Sequence, residues 1–213
     1  MNLLKQALRA AALAVVILAI ATTDAHGQMR WGATAGVSLT DMHFKQPLVT
    51  VKKTPGFAAG VIGEMIFPGV GFGLDIGAQY QMLGAKVNLG EKLMWSSQGY
   101  GNQRFYMHTL SIPVHLRFKY TRLNGFEEYL APLVYVGPSF DFLLGHSKCD
   151  AFSFPFGSIG IDMGIGAEIY KKWQVTASLN LGMTYVTTAD ILTDYSAQNR
   201  VWKLSVSYFF GRD

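Results

Sequence analysis

The stretch from Gly71 to Met82, GFGLDIGAQYQM, changes side-chain character at nearly every step. Phe72, Leu74, Ile76, Ala78, Tyr80 and Met82 fall on one side, and Gly71, Gly73, Asp75, Gly77, Gln79 and Gln81 on the other. A period of two over this length is that of an extended strand, whose successive side chains leave opposite faces of a sheet. Alternation alone leaves one question open, because the apolar side of such a strand either hides against a soluble core or meets lipid.

The same period recurs along the chain. Trp31, Ala33, Ala35, Val37 and Leu39 alternate with glycine, threonine and serine, as do Phe57, Ala59, Val61, Met65 and Phe67 with Gly56, Ala58, Gly60 and Glu64. Tyr106, Leu110, Ile112, Val114, Leu116 and Phe118 alternate with Met107, Thr109, Ser111, His115 and Arg117. Further stretches at roughly 129–143, 156–170, 173–185 and 200–210 fit the period and bring the count to eight strands. No segment from residue 28 onward shows a helical period, so the architecture is all-β.

Composition narrows the choice. Of the 213 residues only 15% are charged, against 50% hydrophobic, 13% aromatic and 23 glycines. A soluble domain carries charge nearer a quarter, and no run reaches the roughly 20 apolar residues of a membrane-spanning helix. At the N-terminus, Lys5 and Arg9 precede AALAVVILAIA and then TTDAHGQ, the order of a secretory signal peptide, with Ala25 and Gly27 as the small residues before cleavage. Residues 1–27 are therefore expected to be removed, leaving 28–213 as one barrel domain. Losing Lys5, Arg9 and Asp24 lowers the formal charge from +4 to +3. Lys and Arg are scattered, with no basic stripe for nucleic acid. Cys149 is the single cysteine, so no internal disulfide forms.

The connections alternate in length. Short ones lie at 68–71, about 121–128 and 171–172, and longer ones at about 40–55, 83–104, 144–155 and 186–199. Short turns at one end and long loops at the other characterise outer-membrane barrels, with the short side periplasmic. On the apolar face, Trp31, Phe67, Phe72, Phe118, Trp173 and Phe210 stand next to the short turns, and Phe57, Tyr80, Tyr106, Tyr185 and Trp202 next to the long loops. Trp and Tyr favour membrane interfaces because their rings are amphipathic. The two sets are separated by about 8 to 10 residues, or roughly 20 to 25 Å across a tilted strand, the height of an outer-membrane hydrocarbon layer. The apolar face is thus expected to meet lipid, and the fold to be an eight-stranded antiparallel up-and-down transmembrane β-barrel.

An eight-stranded barrel has room inside only for side chains. Parity places glycines there (Gly32, Gly36, Gly60, Gly73, Gly77, Gly160, Gly164, Gly166 and Gly182) together with Arg30, Glu64, Asp75, Arg117, Lys119, Asp162 and Glu168. Opposite charges in a narrow tube must pair to offset their desolvation. Arg117 is expected between Glu64 and Asp75 or near Glu168, in a structural network that plugs the lumen.

The stretch YMHTLSIPVHLRFKY, Tyr106 to Tyr120, resembles the PorT-like outer membrane β-barrel family of Bacteroidetes. The matching residues are Leu110, Ile112, Pro113, Val114 and Leu116, with Arg117 where the family has lysine and Ser111 where it has glutamate. The following YLAPLVYVGPSFDFLLG carries the family's Gly-Pro pair at Gly137 and Pro138, and DMGIGAEIY and the aromatic final strand also fit. The resemblance implies a Gram-negative outer-membrane protein and a link to protein secretion. A proline inside a strand removes a ladder hydrogen bond, so Pro113 is expected to mark a bulge. The ending WKLSVSYFF resembles the signal read by the barrel insertion machinery.

Chemistry-bearing residues form no motif. Asp41, His43, His146, Asp150, Asp190 and Asp194 are candidates for a rim hydrolase, but no spacing among them identifies a dyad. His43, His108, His115 and His146 lack a metal-ligand spacing, and neither cofactor nor metal is expected. Trp95, Tyr100 and Phe105 lie in or beside the longest loop among Ser, Gly, Asn and Gln, a composition suited to recognition of a protein or glycan. The chain reads as a non-enzymatic scaffold embedded in outer-membrane lipid, with a narrow solute channel as the second reading and a hydrolase as the third.

Overall fold

The computed structural model describes residues 28–44, 50–67, 71–88, 102–120, 128–147, 152–153, 155–189 and 196–210. Among them are ten strands: β1 (Gln28–Phe44), β2 (Thr50–Lys52), β3 (Thr54–Ile66), β4 (Phe72–Asn88), β5 (Asn102–Lys119), β6 (Leu130–His146), β7 (Phe152–Ser153), β8 (Gly157–Ile169), β9 (Trp173–Ala189) and β10 (Ser196–Phe210). The eight long strands pair antiparallel in the order β1, β3, β4, β5, β6, β8, β9, β10, and β10 returns to β1 with Trp31 opposite Phe210. The sheet is a closed up-and-down barrel. Closure satisfies each strand's backbone on both sides, as a sheet surrounded by hydrocarbon requires. The short β2 and β7 pair with the far ends of β4 and β9.

Adjacent residues show which face looks out. Val61 is 51% exposed and Ile62 8%. Along β1, Trp31, Ala33, Ala35, Val37 and Leu39 are exposed while Gly32, Thr34, Ser38 and Thr40 are buried. Val37, Leu116, Val134, Ile165 and Leu204 carry the same apolar skin around the barrel. In water a continuous apolar surface of this kind would drive association; in a bilayer it is the solvent-matched face.

The skin is bounded by aromatic collars. At the short-turn end Trp31, Phe67, Phe72, Trp173 and Phe210 are exposed, and Phe118 packs on Phe72 at 5.0 Å between ring centres. Tyr120, Tyr129 and Tyr170 join this rim. At the other end Phe57 and Trp202 are exposed, and Tyr80 lies 5.7 Å from Phe57. Tyr106 is half-buried, and the side chain of Tyr185 lies outside the described residues.

Two expectations are corrected. The strands run well past the long-loop collar, to Phe44, Asn88, His146 and Ala189, so the long connections are shorter than the lapse in alternation suggests. Leu83, Gly84 and Ala85 are all buried while their ladder continues, with Ala85 opposite Phe105. From Tyr80 to Asn88, β4 projects roughly 20 Å beyond the collar at the usual strand rise and tilt. Nor does Pro113 mark a bulge. Ile112 opposes Phe140 and Leu116 opposes Val136 in one register, and the irregularity falls at His108/Thr109. The β4 to β5 ladder passes from Ile76 opposite Val114 to Gln79 opposite Ser111, so the missing N–H is accommodated by a local gap and no residue is inserted.

The turn from β8 to β9 is tight. Tyr170 and Lys171 both have positive φ, 50° and 55°, and Lys172 N–H donates to the Ile169 carbonyl at 3.3 Å. Non-glycine residues in this region carry a steric cost of about 1–2 kcal/mol each. Contacts from the lumen and the neighbouring turn hold them: Arg30 Nη1 donates to the Lys171 carbonyl at 2.8 Å, and Tyr170 meets Tyr129 edge-on at 5.9 Å.

Candidate functional site

The inward face of the short-turn half gathers six charged side chains from five strands. Glu64 of β3, 0% exposed, accepts from Arg30 Nη2 of β1 at 2.6 Å and from Lys119 Nζ of β5 at 2.7 Å, and it pairs with Arg117 Nη2. Glu168 of β8 receives the same Arg30 and Lys119 groups at 2.6 Å each, which closes a ring across the lumen. Arg117 Nη1 stands 3.2 Å from Asp75 Oδ1 of β4. Three cations therefore face three carboxylates.

Register explains why the cluster has this form. Glu64 lies directly opposite Asp75, and like charges so placed repel unless a cation offsets them. Arg117 supplies it by reaching over Gly73, its own partner on β4. A Cβ on Gly73 would stand 3.0 Å from Arg117 Nη2, so the glycine leaves the guanidinium its place. Below, Arg30 lies 4.9 Å from the centre of the inward ring of Phe209, a cation–π contact.

A second layer lies toward the middle of the barrel. His115 Nε2 is 3.4 Å and Lys203 Nζ 3.6 Å from Asp162 Oδ2, and Lys203 also donates to Gln79 Oε1 at 3.4 Å. Tyr135 stacks on His115 at 4.6 Å and lies flat against Gly164, where a Cβ would come within 2.5 Å of the ring. A small polar cavity here is lined by Asp75, Gln79, His115, Tyr135, Gln174 and Lys203 among others, with room for about one water molecule. Gln174 Oε1 is shielded from solvent without a hydrogen-bond partner, while Asp75 Oδ1 and His115 Nε2, equally shielded, rest on their ion-pair neighbours Arg117 and Asp162.

Of the seven lumen charges singled out by parity, the structure brings Arg30, Glu64, Asp75, Arg117, Lys119 and Glu168 into one cluster and sets Asp162 in the layer above. Sequence reasoning missed His115 and Lys203 as members, although both sit on the inward parity of their strands. It also missed Tyr135 and Phe209, because aromatics were expected outside. Trp95 and Tyr100 lie outside the described residues; Phe105 sits on β5 opposite Ala85, its side chain likewise outside. Of the rim candidates, Asp41 is half-buried opposite Arg200, and His146 is exposed with Nδ1 3.0 Å from the Ser147 carbonyl oxygen. His43 lies on β1 opposite Gln198, while Asp150, Asp190 and Asp194 fall outside the described residues. His108 faces outward at the collar, where the Tyr80 hydroxyl meets its Nδ1 at 2.5 Å.

No curated protein matches the sequence. Among solved structures, the outer membrane protein OprG from Pseudomonas aeruginosa is 12% identical, with a TM-score of 0.50 over 86% of this chain and 95% of that one. Neisserial surface protein A matches at 9% identity and a TM-score of 0.49, over 84% and 97%. The outer membrane enzyme PagL matches at 9% and 0.46, over 85% and 99%. At such identities the likeness is one of fold alone. Residues 21–188 match the family model of the outer membrane protein beta-barrel domain, and with most of its length inside that match, this chain belongs to the family and is a protein of the outer membrane.

Proposed function

We propose that the chain is a non-enzymatic, membrane-anchored scaffold whose long-loop end faces outward and binds a protein or a surface glycan. The observation that carries this reading is the filled lumen: Glu64 and Arg117, 0% and 1% exposed, sit at the centre of an ion network spanning the short-turn half. A network that joins five strands across the tube acts as a structural plug, and it leaves the long-loop end as the surface on which function can be built. In this reading residues 1–27 are a cleaved signal peptide, the short turns face the periplasm, and β10 carries the aromatic signal for the insertion machinery. The resemblance to PorT-like barrels of Bacteroidetes extends the proposal to a part in protein secretion.

Cross-linkers placed in residues 83–104 of the protein in intact cells test the scaffold reading. Capture of one defined partner, lost when Trp95, Tyr100 and Phe105 are changed to alanine in a barrel that still folds, is the expected result; no captured species from any position contradicts it. The second reading, a narrow channel, is favoured by the polar cavity and by Gln174 Oε1, which is shielded there without a hydrogen-bond partner. Planar bilayers separate the two, because the plugged scaffold gives no unitary conductance. A hydrolase ranks third and would need lipid or peptide hydrolysis that disappears in His43→Ala or His146→Ala.

A further inference from the structure

Just past the long-loop collar, the outward face of the barrel wall carries a row of cations. Register sets it: Lys52 of β2 lies opposite Lys86 of β4, and Lys86 lies opposite Arg104 of β5. Residues directly opposite on neighbouring strands share a face, and strands lie about 4.8 Å apart, so the three positions form a row roughly 10 Å wide. The face is the outward one. Lys86, which is exposed, continues the parity of Tyr80 and Met82, and Arg104 continues that of Tyr106. The Tyr106 ring lies over Gly84, where a Cβ would come within 2.8 Å of it. Between Phe57 opposite Met82 and Lys52 opposite Lys86 the register slips by one residue, which makes room for a fourth cation, the exposed Lys53. Residues 50–53, 82–88 and 102–108 include no aspartate or glutamate. Asp41, on the outward parity of β1, lies opposite Arg200, and Glu91 with its neighbour Lys92 falls outside the described residues.

We propose that this row binds the phosphate groups of a phosphorylated glycolipid in the outer leaflet. Like charges directly opposite one another destabilise a sheet. In the lumen the same conflict, Glu64 opposite Asp75, is answered by Arg117 from within the chain. On this outward face the three segments hold no acid, so the counter-charge comes from outside. Position identifies its source. Arg104 stands two residues past Tyr106, and Lys86 two past its partner Gly84, which is roughly 5 Å beyond that ring at the usual rise and tilt. The headgroup layer is about 5–7 Å deep on each side of the hydrocarbon. An outward face at this level looks sideways along the membrane plane, so it meets headgroups before it meets a soluble protein at the loop tips. Phosphate oxygens accept charge-assisted hydrogen bonds from ammonium and guanidinium groups, and basic clusters beside a membrane bind anionic headgroups. The site rests on the outward orientation of the long-loop end in the proposed reading and requires no protein partner.

Native mass spectrometry of the folded barrel in detergent micelles, titrated with diphosphoryl lipid A or with its fully dephosphorylated form, reads the binding directly. The parent barrel is expected to retain the diphosphoryl lipid at least tenfold better than the dephosphorylated one. Cations near an anionic surface are worth about fivefold each, so Lys52→Gln, Lys86→Gln and Arg104→Gln together are expected to weaken that retention at least tenfold. Lys171→Gln with Lys172→Gln, the same kind of change at the opposite rim, should leave it unaltered. Equal retention of the two lipids by the parent barrel would overturn the proposal whether or not the triple variant folds, and undiminished binding by the folded variant would do the same. Micromolar binding of a soluble hexaglutamate peptide, with no preference between the lipids, would assign the row to an acidic protein and overturn it too. Orientation is scored separately with an epitope tag inserted within residues 89–101. A tag detected on intact cells together with the lipid preference supports the outer-leaflet source. A tag detected only after lysis overturns the orientation, whereas a surface-detected tag without lipid preference overturns the site alone.

Discussion

The two halves of the lumen handle charge in opposite ways. In the short-turn half, Arg30, Lys119 and Arg117 meet Glu64, Glu168 and Asp75 at contact distance, and the group is neutral as a whole. In the long-loop half, Asp141 has no ion pair at contact distance among the described residues: Ser111 hydrogen-bonds to it and Lys203, held by Asp162, acts on it from further off. The difference teaches that burial within one barrel can serve two ends. A closely ion-paired network stabilises because removing any member strands the others, whereas a carboxylate with no cation at contact distance contributes little to the fold.

The largest break in this comparison is Glu64→Ala, which leaves Arg30, Arg117 and Lys119 sharing two acids. Urea unfolding in lipid should show a loss of about 3–5 kcal/mol, the usual cost of opening a buried pair from one side. Next comes Gly164→Ala at the boundary between the halves, where the added methyl must displace the Tyr135 ring and the His115 stacked on it. Overpacking of this kind should cost about 1–3 kcal/mol by the same measurement. The pair of Lys171 and Glu128, 3.4 Å apart on the exposed turns, sharpens the contrast from outside. Glu128→Ala should lower stability by roughly 0–1 kcal/mol, because solvent screens such pairs. Smallest of all, Asp141→Asn should leave stability within about 0.5 kcal/mol of the parent or raise it, since it removes a charge with no cation at contact distance and keeps a partner for Ser111. A loss as large as that of Glu64→Ala would erase the distinction between the halves.

Much of this architecture is legible in the residue order because lipid enforces it. Between the collars each outward residue must be apolar, so the alternation from Phe72 to Met82 is unbroken and the strand can be read directly. Above the collar that demand ends. The continuation of β4 through Leu83, Gly84 and Ala85, and the short β2 pairing Lys52 with Lys86, rest on backbone hydrogen bonds that have no hydropathic signature. Pro113 misleads for a related reason: the sequence shows a missing N–H but not whether the strand answers with an inserted residue or a gap in the ladder. Inside the barrel, parity assigns Arg30 and Glu168 to the same face, but their contact spans the lumen between strands that are not neighbours, and only closure of the sheet brings them to 2.6 Å. A small pocket at the long-loop mouth of the lumen is the least legible part. Leu83, Met107, Leu143 and Asn199 come from four strands, and nothing in their spacing announces that they meet.

Val61 and Ile62 are consecutive residues of β3 with opposite surroundings, and they provide the most direct test of the claim that this barrel carries its apolar face outward and its charges within. In nanodiscs containing lipids spin-labelled along the acyl chain, paramagnetic relaxation should broaden the Val61 methyl resonances strongly and leave the Ile62 methyls sharp. Broadening of Ile62 with Val61 spared would place lipid on the wrong face and contradict the account.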